Sequence, residues 1–398
     1  PPPPPPAAPT AAPAAPLPPP APRYDLVLLG GTLIDATGAP ALERAAVAIA
    51  DGRIAAVGPA AELAFSPDTP VRDVTGATIL PGFINAHVHI RGLSDDQLRQ
   101  WARAGVTTIR DLAGDLDAML ARRDQLGAYD DPSLPRLLVA GPIVTVPGGY
   151  PLAVSDPALR VDGLPVRDPQ EAQAAVSTLA ARGVDLIKLA VSGRTDVRWP
   201  ELSDSDLAAI TERARAYGLR VSAHVDRASA LRRAALQGVT DAAHSPRDYL
   251  PDDVIALMVQ RGMTLTPTIA VYEALAEQRG RGAEWRRATL PVMYDNVRRF
   301  VAAGGVLVLG DDFGGVPNMP IGMPMDELRH WQALGLTPEQ IIVAATRGGA
   351  LASGIADEVG TVEPGKLADL LVVEGDPRED LEALARPVLV LRGGRPVE

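Results

Sequence analysis

The 398-residue chain contains no cysteine, which excludes disulfides, thiolate metal ligands and cysteine nucleophiles at once. No apolar run approaches the roughly 20 residues that span a bilayer. Cations are in the minority, 38 Lys and Arg against 49 Asp and Glu, giving a net charge of −11. Such a chain has no basic surface to neutralise phosphates, so nucleic acid is excluded as a partner, and so is simple attachment to an anionic membrane. Histidine is scarce, with five in all, so the places where it stands carry information.

The chain begins PPPPPPAAPTAAPAAPLPPPAPR, without an initiator methionine. A Pro/Ala tract offers no side chains for a core and runs extended and solvated. Residues 1–23 therefore read as a tail or linker, with a processed, periplasmic or secreted protein as the expectation. Beyond it the hydrophobic share, 46% of the whole chain, is that of a globular protein with a large core.

From Tyr24 to Ile79 the pattern is strand, turn, strand: YDLVLLGGTLID, then AAVAIADGRIAAVG with an Asp-Gly turn, then VRDVTGATIL. Alternating apolar residues around Asp-Gly signal a β-hairpin. Short β segments return after Gly360 in GKLADLLVVEG and PVLVLRGGRPV. Between these ends, strand-like and helix-like segments alternate, the mark of parallel βα units. The helix SDSDLAAITERARAYG opens on Ser/Asp capping residues and stops before a glycine. TLTPTIAVYE reads as the seventh strand, GGVLVLGDD as the eighth and TPEQIIVAATRGGALAS as the closing helix. The expected fold class is α/β, a (β/α)8 barrel over 81–356 beside a small composite β-sandwich from 24–80 plus 357–398.

The polar residues that interrupt the apolar runs fall at strand ends. His87 and His89 form an H-x-H pair in PGFINAHVHI, Lys188 sits in GVDLIKLAVSG, His224 ends GLRVSAH, His244 ends GVTDAAH, and Asp311-Asp312 close GGVLVLGDD. In a barrel, the C-terminal ends of the strands converge on one mouth. In H-x-H on a strand both imidazoles point to one side, and neutral imidazole suits Zn²⁺, Mn²⁺, Fe²⁺ or Co²⁺. Lys188 stands in an otherwise apolar strand, where an ammonium is costly to desolvate. Neighbours on a strand face opposite ways, so only one of Asp311 and Asp312 can point inward.

This order of motifs resembles the amidohydrolase superfamily, more closely its imidazolonepropionase-like and prolidase-like members, from about Tyr24 to the C-terminus. The carriers are LPGFINAHVH, GVTTIRDLAG, the IKL lysine, SAHV, AAHS, the GDD segment and EPGKLADLLVV. The resemblance implies two divalent metal ions, most often Zn²⁺. His87, His89 and an aspartate would hold one ion and His224 and His244 the other, bridged by a CO₂-derived carbamate on Lys188. An ungapped match of the GDD segment makes Asp312 the ligand and catalytic base, with His244 either a ligand or, at a one-metal site, a catalytic group polarising the substrate carbonyl. A metal-activated water would then hydrolyse a C–N bond without a covalent enzyme intermediate, so Ser192 and Ser245 are not expected to be nucleophiles.

Substrate contacts are expected from the loops after the strands: Arg110, Asp111, Tyr150, Arg194 and Tyr272, with His330 read as a helical surface residue. Where relatives often carry Gly-Gly-His, this chain has Gly148-Gly149-Tyr150. The Met-, Pro- and Gly-rich GGVPNMPIGMPMDEL after Asp312 reads as an apolar lid or as packing at the mouth. The expected partner is a small amide, peptide or cyclic amide, and a homo-oligomer is plausible from the family. A mononuclear deaminase or imidazolonepropionase-like hydrolase is the enzymatic alternative, and a non-catalytic barrel scaffold the other.

Overall fold

The computed structural model describes residues 21–128, 131–154, 162–193 and 199–398. Arg194 and most of the Pro/Ala tract lie outside them. The Asp-Gly signal forms a hairpin: Ala45–Ala50 and Arg53–Pro59 pair antiparallel around Asp51 and Gly52, at φ of 51° and 72°. Two successive positive φ values give the turn the twist that flanking strands need. Leu26–Leu29 pairs with this hairpin and, on its other side, with Val71–Asp73.

A second sheet joins the two ends of the chain. Ala77–Pro81 pairs antiparallel with Leu370–Glu374, followed outward by Pro387–Arg392 and Arg395–Pro396, while Thr32–Leu33 takes the opposite edge. Leu28, Val47, Ile49, Ile79, Leu370, Val372 and Leu391 form one buried cluster between these strands. Each such side chain contributes about 1.5–3 kcal/mol on burial. Apolar packing, not ion pairs, therefore holds the terminal segments together.

The rest is parallel. Phe83–Val88, Val106–Asp111 and Arg136–Val139 form one sheet. Gly163–Pro165, Ile143–Thr145, Leu186–Ala190, Arg220–His224, Asp241–Ala243 and Thr264–Thr266, in that spatial order, form the other. Apart from the edge strand Gly163–Pro165, both strand sets are buried along nearly all their length, as parallel strands covered by helices are. The sheets are linked edge to edge. Asp185 N–H donates to Val139 O at 2.9 Å. On the other side Val308 N–H donates to Leu265 O at 2.9 Å and Ala86 N–H to Leu309 O at 2.8 Å, so residues 307–313 run between Thr264–Thr266 and Phe83–Val88.

Two sequence expectations need correction. GGVLVLGDD forms no regular strand, only single bridges at Leu307 and Phe313 with isolated backbone bonds to either side, and Asp312 at φ 57° ends its extended course. TLTPTIAVYE is strand only over Thr264–Thr266. Pro267 cannot donate to a ladder, Thr268 turns to φ 49°, and helix Ile269–Gln278 begins. Tyr272 is thus helical. Two further helices, Gly282–Ala288 and Leu290–Ala302, complete this excursion.

The helix over Asp204–Ala216 is capped as its sequence suggests. Ser203 accepts from Asp206 N–H and Asp206 reciprocates, and Gly218 follows at φ 72°. His330, expected at the surface, lies on helix Met325–Ala333 but is buried. Its Nε2 is 3.1 Å from Glu273 Oε2 and its Nδ1 2.8 Å from Tyr294 Oη. Met319, Ile321 and Met323 of the Met/Pro loop pack onto the main core.

Arg110, expected among the substrate contacts, is wholly buried. Its Nη2 donates to Asp241 at 2.7 Å, its Nε to Ala86 O at 2.6 Å and its Nη1 to Ala352 O at 3.0 Å. Asp241 also accepts from Ser222, Thr264 and Thr266. This network ties five parallel strands and the helix Gly349–Ser353 together, which gives Arg110 a structural part. Removing one partner of a buried pair leaves an uncompensated charge at a cost of about 3–5 kcal/mol. Arg110→Met is expected to lose that much in urea unfolding, and a loss under about 1 kcal/mol would show the pair to be dispensable.

Candidate metal centre

Five of the six expected ligand residues stand on or just past parallel strands. His87 is on Phe83–Val88 and His89 follows it, Lys188 is on Leu186–Ala190, His224 ends Arg220–His224, and His244 follows Asp241–Ala243. Asp312 belongs to the irregular segment between the two sheets. In register, Lys188 lies opposite Ser222 and Ala190 opposite His224, so the lysine sits one inward position deeper than the histidine.

The fold brings these side chains together. Asp312 Oδ1 lies 3.2 Å from His87 Nε2 and 3.0 Å from His89 Nε2, yet it makes no hydrogen bond of acceptable geometry among the described residues. One ligand atom each from His87, His244 and Asp312 falls within 4.8 Å of the others. Ring centroids are 4.9 Å apart for His87 and His244 and 4.6 Å for His244 and His224. Lys188 Nζ and His224 Nε2 are buried without a hydrogen-bond partner. Orphaned buried polar atoms are costly, and here both groups lie within electrostatic reach of Asp312.

Their protonation suits a cation. Burial pushes His87 down to about 4 and holds His224 and His244 well below the ordinary imidazole range. Burial works against charge on His89 too, but Asp312 beside it raises its pKa. Burial also opposes ionisation of Asp312, yet His87 and His89 together hold its carboxyl well below the usual carboxylate range. Burial lowers Lys188 to about 7, against the pull of Asp312 and Asp241. The result is mostly neutral imidazoles around an ionised carboxylate, with an amine that loses its proton near neutrality. Nitrogen and carboxylate donors in this state match divalent first-row ions, zinc among them.

The backbone is bent to achieve this. Three non-glycine residues at the centre have positive φ: His244 at 135°, Thr268 at 49° and Asp312 at 57°. Each such conformation costs on the order of 1–3 kcal/mol and persists where the surroundings impose it. Gly310 allows the close approach of the Asp312 segment, because a Cβ there would fall 2.7 Å from His87 Cβ and 2.5 Å from Thr266 Cγ2. Asp311 faces elsewhere, accepting from Asn85 Nδ2 at 2.8 Å and from Phe313 N–H at 3.1 Å. Asp111 is turned to the N–H groups of Ile90 and Ala113.

Two tyrosines flank the histidines. Tyr150 stacks on His224 at 4.2 Å between centroids, and Tyr272 meets His244 edge-on at 5.6 Å. Arg247 lies over Tyr272 at 5.3 Å and forms a bidentate pair with buried Asp226. Sequence reading did not single out Arg247 or Thr268. The signal for Arg247 was its place three residues after His244, in a loop that follows a strand. Thr268 carried none, because its φ is not visible in sequence. Ser192 accepts from Asp226 N–H, and neither Ser192 nor Ser245 pairs with a base as a nucleophile would.

Comparison with known proteins agrees with this arrangement. Residues 78–397 match the amidohydrolase family, and residues 45–64 match the imidazolonepropionase-like composite domain of bacteria. The chain is 28% identical to the imidazolonepropionase of Symbiobacterium thermophilum, over 88% of this chain and 91% of that one. It is 31% identical to an uncharacterized Mycobacterium tuberculosis protein, over 80% and 85%. A solved structure of a candidate prolidase from Bifidobacterium longum superposes with a TM-score of 0.80 at 29% identity, covering 94% of each chain. With its strand-end histidines, lysine and aspartate brought together and most of its length matched, the chain belongs to the amidohydrolase family of hydrolases acting on carbon–nitrogen bonds.

Proposed function

We propose that the protein is a metal-dependent hydrolase of an amide, peptide or cyclic amide, with two divalent ions at the strand ends. The observation that carries this reading is the convergence of His87, His89 and Asp312 with His244, beside buried Lys188 and a further imidazole, His224, whose Nζ and Nε2 respectively have no hydrogen-bond partner among the described residues. In this reading the parallel strands and the 307–313 segment close into a (β/α)8 barrel over 81–356. Residues 24–80 plus 357–398 form a composite β-sandwich beside it.

His87, His89 and Asp312 would hold one ion and His224 and His244 a second, with Lys188 as carbamate between them. When bound, such ions supply Lewis acidity toward a carbonyl and bring the acidity of water near neutral. The chain's own residues do the rest. Asp312, ionised and at the centre, accepts the proton of the attacking water and returns it to the leaving nitrogen. Tyr150 and Tyr272 wall the space beside His224 and His244 and orient the substrate. Arg247, fixed by Asp226, holds Tyr272 from its outer face. Met319, Ile321 and Met323 favour an apolar acyl group or ring.

A second reading has its own observation: among the described residues, the ligand atoms of His87, His244 and Asp312 form the one such group mutually within 4.8 Å. A single ion there would leave Lys188 as a free amine. The reaction would then be the deaminase-like or imidazolonepropionase-like hydrolysis of a cyclic C–N bond, with His244 polarising the carbonyl. The likeness to imidazolonepropionase favours this alternative.

Asp312→Asn preserves shape and removes the proton acceptor, so kcat on the best substrate of an acyl-dipeptide, cyclic-amide and aryl-amide panel is expected to fall about 10²- to 10⁴-fold. Turnover within a few-fold of wild type would remove Asp312 from the chemistry. Carbamate formation needs the neutral amine, and for Lys188 that form grows as pH rises through about 7. Bicarbonate-dependent uptake of the second ion should therefore rise between pH 6 and 8. Uptake indifferent to bicarbonate across that range would favour the one-ion reading.

A further inference from the structure

Helix Ile269–Gln278 begins without a conventional cap. Thr268 occupies the N-cap position, where a threonine hydroxyl ordinarily accepts a backbone N–H from the first turn. It makes no such bond. Its Oγ1 lies instead 2.7 Å from His244 Nδ1. The first turn finds another acceptor. Ala270 N–H donates to Glu327 Oε2 at 2.8 Å. Trp331 Nε1–H donates to Glu327 Oε1 at 3.0 Å.

Glu327 stands on helix Met325–Ala333, and its carboxyl is fully enclosed, as is Thr268. An isolated buried carboxyl is costly. Donors on both oxygens and the positive end of the helix it caps offset part of that cost, while burial still raises its pKa to about 8. A contact from His330 to Glu273 fixes these two helices to each other, and one from His330 to Tyr294 ties in helix Leu290–Ala302.

We propose that Thr268 is the positioning residue of His244, and that Glu327 releases it for that task by capping helix Ile269–Gln278 in its place. Thr268 adopts the left-handed conformation that β-branched residues avoid, and it does so where its hydroxyl meets the imidazole. With Nδ1 engaged, Nε2 is the nitrogen left to face His87 and Asp312. Metal-ligating histidines are commonly oriented in this way through their second nitrogen. The purpose of the contact rests on the metal-centre reading. The contact itself does not.

The test uses metal-free full-length protein labelled with ¹⁵N-histidine, whose five imidazoles are few enough to assign, together with Zn²⁺ titration against a competing chelator. Wild type should show His244 as the Nδ1–H tautomer. Thr268→Val keeps the shape and removes the hydroxyl. It should move His244 toward a tautomer mixture and weaken Zn²⁺ binding about 10- to 100-fold, while Thr268→Ser retains both properties. Glu327→Gln, which loses acceptor capacity, should weaken Zn²⁺ binding several-fold in the same direction. A valine variant with wild-type tautomer and affinity overturns the proposal, and so does a serine variant as impaired as valine. If the valine variant does not fold, an unchanged tautomer and affinity in Glu327→Gln overturns it. A wild type that binds no Zn²⁺ yet loses the tautomer in Thr268→Val would sink the metal reading and leave the positioning one standing.

Discussion

Taking four imidazoles, an ammonium and a carboxylate out of water together is the constraint around which this structure is arranged. Each charge so buried costs several kcal/mol unless it is paired. The protein meets that cost partly by neutralisation, since burial drives His87 to about 4 and Lys188 to about 7. Asp312 stays ionised, with two Nε2 atoms directed at one of its oxygens, and it raises the pKa of His89 beside it. Nitrogen donors that cannot be satisfied by one another, grouped around one carboxylate, are a preorganised set of ligands.

The surroundings serve to hold that set. One inward position deeper than His224, at the level of Lys188 and Ser222, Arg110 and Asp241 bind strands to each other through a buried ion pair and three hydroxyls. At the rim, Gly310 lets the Asp312 segment close on His87. Strain in the positive-φ conformations of His244, Thr268 and Asp312 is concentrated where function would use it, as the physics of overdetermined sites anticipates. The terminal sheets carry no part of the centre. Their apolar cluster nonetheless anchors Ala77–Pro81, directly before the strand that bears His87.

The parts of this legible in sequence were those with a period or a turn signal. Continuous apolar runs marked Phe83–Val88, Leu186–Ala190 and Arg220–His224, and Asp51-Gly52 marked the terminal hairpin. Conformation that depends on one dihedral angle was not legible. GGVLVLGDD has the composition of a strand, but it pairs only through single bridges and Asp312 ends its extended course. Thr268 reads as an ordinary strand residue, yet it turns the chain into a helix and places Tyr272 there. Arg110 looked like a residue at a strand end aimed at a ligand, because sequence does not show that Asp241, 131 residues later, would claim it. His330 looked exposed because the helical pattern alone does not reveal Glu273 and Tyr294 beside it. Glu327 carried no signal, since capping a distant helix leaves no local trace.

The most direct test of the account is the Zn²⁺ stoichiometry of the protein at equilibrium, with bicarbonate present, for wild type and Lys188→Ala. The account predicts close to two ions per chain in wild type and no more than one in the variant, with the fold retained. A wild-type protein that binds no Zn²⁺, or any other divalent first-row ion, would contradict it.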